Sequence, residues 1–242
     1  MQHIYDKDDE FLKSLGEFIT KKSSKAISDH GFFSIAFSGG SAATKVCQSL
    51  EREEYSSNIS WANWKVFFCD ERFVELTDKD SNYKAINDGL LQKHKDIDPK
   101  NVFTLNKTGT VADAAQDYEK KLRSVFPNSK LPQLDLVVLG MGPDGHICSL
   151  FPNHALLEEN EKWIASLEDS PKPPPQRITF SLNVVNNAST ALFIATGEGK
   201  AENIKKAIEG APSKDVPASL VKLTSADLHW FMDKGAASLL KA

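Results

Sequence analysis

The chain has 242 residues, 40% apolar and 26% charged, which suits one soluble α/β domain and excludes a wholly disordered chain. With 29 basic against 33 acidic residues the net charge is −4, and no Lys/Arg block stands out, so neither a nucleic-acid partner nor a basic surface is expected. Cys47, Cys69 and Cys148 are odd in number, widely spaced and outside any CxxC, which argues against a disulfide framework or a zinc site.

The N-terminal MQHIYDKDDEFLKSL is charged from its sixth residue and lacks an apolar signal core. No apolar run approaches the ~18 residues of a membrane span. A cytoplasmic protein without a membrane partner is expected. Residues 8–29 follow with an apolar stripe of Phe11, Leu12, Leu15, Phe18, Ile19, Ala26 and Ile27, the period of an amphipathic helix. FFSIAFSGGS (32–41) reads as a strand ending in a glycine turn, and ATKVCQSLERE as the helix behind it. WKVFFCDERF (64–73) reads as one buried strand that ends in three charges. SNYKAINDGLLQKH (81–94) is a helical pattern with Ser81 as candidate N-cap, and VADAAQDYEKKLRSVF (111–126) is another, stopped by Pro127.

LDLVVLG (134–140) is the most hydrophobic strand pattern of the chain. Three prolines at 173–175 make a stiff loop before the strand RITFSL (177–182). TALFIAT (190–196) is a further strand, followed by the helix KAENIKKAIEG; LHWFMD (228–233) and a short helix KGAASLL close the chain. Continuously apolar strands separated by helices predict a mostly parallel central sheet with helices on both faces, in a single domain over 1–242.

In such a sheet a ligand sits outside the carboxyl ends of the strands. Those ends carry SGGS, DER, GMGPDGH and TGEGK, all polar and three of them glycine-rich. At 38–41, Ser38, Gly39, Gly40 and Ser41 lead into a helix whose free N–H groups can hold an anion; an ordinary turn with Ser41 as N-cap is the plainer alternative. Arg72 can fork onto a phosphate or pair with Asp70 or Glu71. Lys200 begins a helix where an anion would also sit, and Arg177 follows a rigid loop that either presents it inward or leaves it as a strand-start charge.

GMGPDG (140–145) matches the dinucleotide fingerprint G-x-G-x-x-G after a strand. Pro152 leaves no room for the long helix that this fingerprint needs, so a dinucleotide cofactor is not expected. The alternative is chemistry: His146 on a glycine loop can act as a general base near neutral pH, with Asp144 orienting the ring. An isolated DGH also occurs where a His merely caps the backbone. Cys148, two residues on, has no feature of an activated thiolate and reads as a small buried residue.

Taken together, SGGS, CDER, LGMGPDGHICSLFP, PPPQRIT and ATGEGKA resemble, in order and over nearly the whole chain, the 6-phosphogluconolactonase family, and DSPKPPPQRITFSL resembles its eukaryotic branch. Cys148 stands where many relatives carry Ala. The resemblance implies a modified Rossmann-like α/β fold and a monomeric enzyme with no metal or organic cofactor. Its small-molecule substrate is a phosphorylated sugar lactone, opened in the oxidative pentose phosphate pathway. It implies His146 as the base that activates water, Asp144 as its partner and Arg72 as a further catalytic group. Ser38, Gly39, Gly40, Ser41, Arg72, Lys200 and Arg177 then form the phosphate side. Two rival readings remain: a hexosamine-phosphate deaminase, whose His loop continues toward Asn-Glu-Pro where this chain has Ser149-Leu150-Phe151-Pro152, and a non-catalytic sugar-phosphate sensor.

Overall fold

The computed structural model describes residues 1–241. Six strands, β1 (Gln2–Tyr5), β2 (Phe33–Phe37), β3 (Trp64–Phe68), β5 (Leu136–Leu139), β8 (Ala191–Ala195) and β9 (Leu228–Asp233), form one sheet in the order β1-β9-β8-β5-β2-β3. Every pairing in it is parallel. A second, antiparallel sheet has the order β4-β7-β6, from β4 (Asp70–Arg72), β6 (Ile164–Leu167) and β7 (Arg177–Phe180). The helices are α1 (Asp8–His30), α2 (Ser41–Leu50), α3 (Glu53–Ser56), α4 (Asn82–Gly89), α5 (Val111–Val125), α6 (Leu182–Asn186) and α7 (Ala201–Glu209). Among the described residues no helix is long and apolar enough to cross a membrane.

The continuous apolar strands are buried on both sides because successive side chains serve opposite cores. Along β5, Leu136 and Val138 pack with Leu15, Ile19 and Val46 of α1 and α2. Val137 and Leu139 pack with Tyr118, Leu122 and Val184 of α5 and α6. The helix ends follow local chemistry. Thr110 and Asp113 form a reciprocal capping box at the start of α5, Ser81 accepts the Lys84 N–H at the start of α4, and Gly31 in the left-handed region closes α1.

The segment expected as one strand over 64–73 is two. Cys69 is the crossover: its N–H donates to Phe37 O at 2.9 Å in the parallel sheet, while its carbonyl accepts from Phe180 N at 2.7 Å in the antiparallel one. The buried Tyr118 hydroxyl secures this corner, accepting from Phe68 N at 2.7 Å and donating to Phe68 O at 3.2 Å. The helix expected for KGAASLL is a run of turns, and the helical pattern over 81–94 stops at Gly89, where α4 lies against the Cys47 side chain. β1 and β6 carry no strong apolar pattern and went unassigned from sequence; β1 adds at the outer edge of β9.

Tyr118→Phe keeps the ring but leaves both Phe68 backbone groups without that hydroxyl in a dry core. A loss of about 1–3 kcal/mol in urea unfolding is expected. A variant as stable as the wild type would show that the hydroxyl does not carry this corner.

Candidate active site

β2 and β3 run to one side of the strand-order reversal, and β5, β8 and β9 to the other. The connection after β2 enters α2 on one face, while that after β5 packs Met141, Ile147 and Leu150 into the opposite core. Between them opens a cleft of about 200 Å³ lined by Ser38, Gly39, Gly40, Ser41, Asp70, Arg72, Gly140, Met141, Gly142, Pro143, His146, Cys148 and Lys200. All four strand ends singled out from sequence therefore meet at one place.

At the first strand end, Gly39 packs on Asn82 so tightly that a Cβ there would fall 2.0 Å from Asn82 Oδ1. Gly40 takes φ 72° and is the N-cap of α2, so Ser41 is the first helical residue rather than the cap. The leading N–H groups of α2 consequently point their partial positive charge at the cleft. Ser38 Oγ, on the cleft wall, is buried and has no hydrogen-bond partner among the described residues.

The DER segment resolves into three separate jobs. Glu71 is buried and accepts from the N–H groups of Arg72, Asn82 and Tyr83 at 2.9, 2.8 and 2.8 Å and from Ser81 Oγ at 3.1 Å, anchoring the start of α4. Burial pushes its carboxyl above the usual range, against the pull of those N–H groups. Asp70 accepts from Ser149 Oγ at 2.8 Å and from Asn82 Nδ2 at 3.3 Å. With both acids committed, Arg72 makes no ion pair among the described residues, and its guanidinium donates only to Asp80 O, at 2.8 Å. Its buried Nε has no partner among the described residues. Arg72 lines the cleft, and a guanidinium there that no acid neutralises is suited to an anionic ligand.

At the third strand end the loop closes on itself, Gly142 N donating to His146 O at 3.0 Å and Gly145 N to Gly142 O at 2.9 Å. Gly145 holds φ 84°, and a Cβ on Gly142 would sit 2.1 Å from His146 Nδ1. Gly142 thus leaves the space that the imidazole occupies. His146 Nδ1 lies 2.5 Å from Asp144 Oδ1, a separation that requires a shared proton. With that proton on Nδ1, Nε2 is the basic nitrogen. Phe151 lies beside the ring at a centroid distance of 4.9 Å. Burial lowers the His146 pKa; Asp144 opposes this and the nearby Lys172 adds to it. Burial alone would raise the Asp144 carboxyl, but His146 and Lys172 outweigh it and hold the group low.

Lys200 completes the wall from the loop after β8, with burial lowering its pKa against the pull of Asp233. It forms no salt bridge among the described residues.

Arg177 is not on the wall. It is 3% exposed, and its guanidinium donates to the carbonyls of Pro174, Lys172 and Pro173 at 3.0, 2.9 and 3.1 Å, and to Ser149 Oγ at 3.4 Å. Its charge faces inward, as one reading of the rigid loop proposed, but onto that loop's own backbone. No sequence signal points to Lys172, and none gives Ser149 or Asn82 a role in the site. Lys172 places Nζ 3.1 Å from Asp144 Oδ1 and 3.2 Å from His146 Nδ1, Ser149 links Asp70 to Arg177, and Asn82 braces Gly39 and Asp70.

The model of the family described as glucosamine-6-phosphate isomerases/6-phosphogluconolactonase matches residues 6–230. The chain belongs to this family. It is 41% identical over 239 residues to 6-phosphogluconolactonase of Bos taurus, covering 98% of this chain and 92% of that protein. It is equally 41% identical over 249 residues to probable 6-phosphogluconolactonase 1 of Arabidopsis thaliana, over 98% of this chain and 92% of that one. Among solved structures, 6-phosphogluconolactonase of Thermotoga maritima superposes with a TM-score of 0.82 at 26% identity, covering 97% of this chain and all of that one, 100%.

Gly142→Ala drives a methyl group into the His146 ring, so the imidazole is expected to leave Asp144. Its NMR signals should change while the far-UV circular dichroism stays that of the wild type. Unaltered ring signals would show that the imidazole does not rest on Gly142.

Proposed function

We propose that this chain hydrolyses 6-phospho-D-glucono-1,5-lactone to 6-phospho-D-gluconate, the reaction named by its relatives, with His146 as general base. The observation that carries the chemistry is the 2.5 Å contact of Asp144 with His146, which lines a cleft that also holds Arg72 and Lys200, free of ion pairs among the described residues. Asp144 keeps the Nδ1 proton, so Nε2 takes a proton from water as the water attacks C1 of the lactone. The tetrahedral intermediate carries its negative charge on the former carbonyl oxygen. Cationic and N–H donors lining a small cleft stabilise that charge without reorganising. The imidazolium then returns its proton to the ring oxygen as the C1–O5 bond breaks. A lactone is an activated ester, so one base and an oxyanion site suffice.

The phosphate belongs on the side built by Ser38–Ser41, the start of α2, Lys200 and Arg72, where an anion gains hydrogen bonds and helix-terminal charge together. Arg177 is left out of this set and given the task of holding the 172–175 loop.

His146→Ala is expected to lower turnover about 10²–10⁴-fold with little change in KM, measured by pH-stat on freshly made lactone and corrected for spontaneous hydrolysis. Wild-type turnover in that variant would sink the mechanism, and ammonia release from glucosamine 6-phosphate would favour the deaminase reading instead. Lys200→Met should chiefly raise KM, by roughly 10–100-fold, the worth of a charged hydrogen bond.

The pH dependence follows from burial. Because the neutral imidazole is the active form and its pKa is lowered, kcat/KM should hold below the ordinary histidine range and fall as pH drops through the His146 titration. A profile already failing above that range would contradict this environment for His146.

A further inference from the structure

We propose that Lys172 is a positioning residue for the His146–Asp144 pair, its ammonium anchoring the carboxylate and keeping the imidazole neutral with its proton on Nδ1. This rests on the lactonase reading above. Lys172 Nζ lies 3.1 Å from Asp144 Oδ1 and 3.2 Å from His146 Nδ1. The 2.5 Å contact between Nδ1 and Oδ1 leaves room only for a proton, so Nδ1 is a donor and has no lone pair for the ammonium. Asp144 Oδ1 is therefore the acceptor for both, and the approach of Nζ to the ring is a like-charge contact whenever the imidazole is protonated.

The charges around the ring define why a third group is useful. Asp144 on the same loop and Asp70 from β4 both favour the imidazolium. Left alone, an aspartate that orients a histidine also tends to lock a proton on it, which disables a base. Lys172 opposes that effect at the same oxygen that does the orienting. Arg72 and Lys200 line the same cleft, and Phe151 adds an apolar edge.

The loop is built to hold Lys172 there. Arg177 donates to the carbonyls of Lys172, Pro173 and Pro174, Ser170 Oγ donates to Lys172 O at 2.8 Å, and Lys172 N donates back to Ser170 Oγ at 3.3 Å. Ser170 N donates to Pro175 O at 3.1 Å. Such fixation exceeds what a solvated lysine needs. Lys172 is not among the residues of the cleft wall, which sets it apart from a substrate ligand.

The test is the pH profile of kcat/KM together with the NMR titration of the His146 imidazole in the wild type, Lys172→Met and Lys172→Arg. Met keeps most of the aliphatic stem without the charge. In K172M the imidazole should titrate at higher pH, and kcat/KM should fall about tenfold on the acidic limb while approaching wild type in alkali, the signature of a base more readily protonated. KM at neutral pH should stay the same, and K172R should restore the profile. A uniform fall across pH with an unmoved titration would reduce Lys172 to loop structure, and a rise in KM alone would make it a substrate ligand; either overturns the proposal. A wild type without lactonase activity would defeat the functional reading, yet the imidazole titration would still decide the role of Lys172.

Discussion

The structure depends on the reversal of strand order between β2 and β5. These two strands are hydrogen-bonded neighbours in register, Ile35 to Leu136 through Phe37 to Val138, yet the chain leaves them toward opposite faces of the sheet. Two backbones that part in this way cannot cover the space above them. Glycine is required on the first of these loops, where a Cβ at Gly39 would fall 2.0 Å from Asn82 Oδ1, whereas a Cβ at Gly140 would meet Ala42 and the Gly39 carbonyl only at ordinary contact distance. Everything that gives the cleft its chemistry is hung from that gap: the start of α2 on one rim, the His146 loop on the other, and Arg72 and Lys200 from the flanking strand ends.

A net charge of −4 is compatible with an anion site because the acids near the cleft are spoken for. Glu71 satisfies the N-terminus of α4, Asp70 is held by Ser149 and Asn82, and Asp144 is engaged by His146 and Lys172. The cleft-lining charges without an ion pair among the described residues, Arg72 and Lys200, are positive. The alternatives that the DER motif presents from sequence, a phosphate fork or a surface ion pair, are thus separated by a helix terminus eleven residues downstream of Glu71, which claims the acid that would otherwise neutralise Arg72.

Five of the six parallel strands were legible because they are apolar on both faces, a pattern that only double burial explains, and the site was legible because four of them, β2, β3, β5 and β8, run into polar, mostly glycine-rich segments. The failures have physical causes too. The apolar run through Cys69 gives no sign that the chain changes sheets, since the corner is made by hydrogen bonds from Phe37, Phe180 and Tyr118 that lie far away in sequence. KGAASLL has helical residues, and Asp233 accepts from Ala236 N at 2.7 Å as an N-cap would, but beyond Ala237 N to Asp233 O the bonds reach only three residues back, Ser238 N to Gly235 O and Leu240 N to Ala237 O, and the segment settles as turns. Lys172 was invisible because a lysine among prolines has no local reason to face a histidine 26 positions earlier.

That last contact shows what the small antiparallel sheet contributes. Its register sets Arg72 of β4 directly opposite Arg177 of β7, two like charges that would destabilise an exposed pair. They are tolerated because they turn to different work. Arg72 reaches toward the cleft, while Arg177 spends its donors on the carbonyls of residues 172–174 and lies over Phe151 at 5.7 Å. Burial and the facing Arg72 both lower the pKa of Arg177, and Asp70 opposes them. The two arginines are therefore not interchangeable despite their symmetric places: one lines the cleft, and the other organises the loop that sets Lys172 beside His146. The second sheet thus places Arg72 on the cleft wall and carries, on the loop between β6 and β7, the Lys172 ammonium that meets the Nδ1 side of the imidazole.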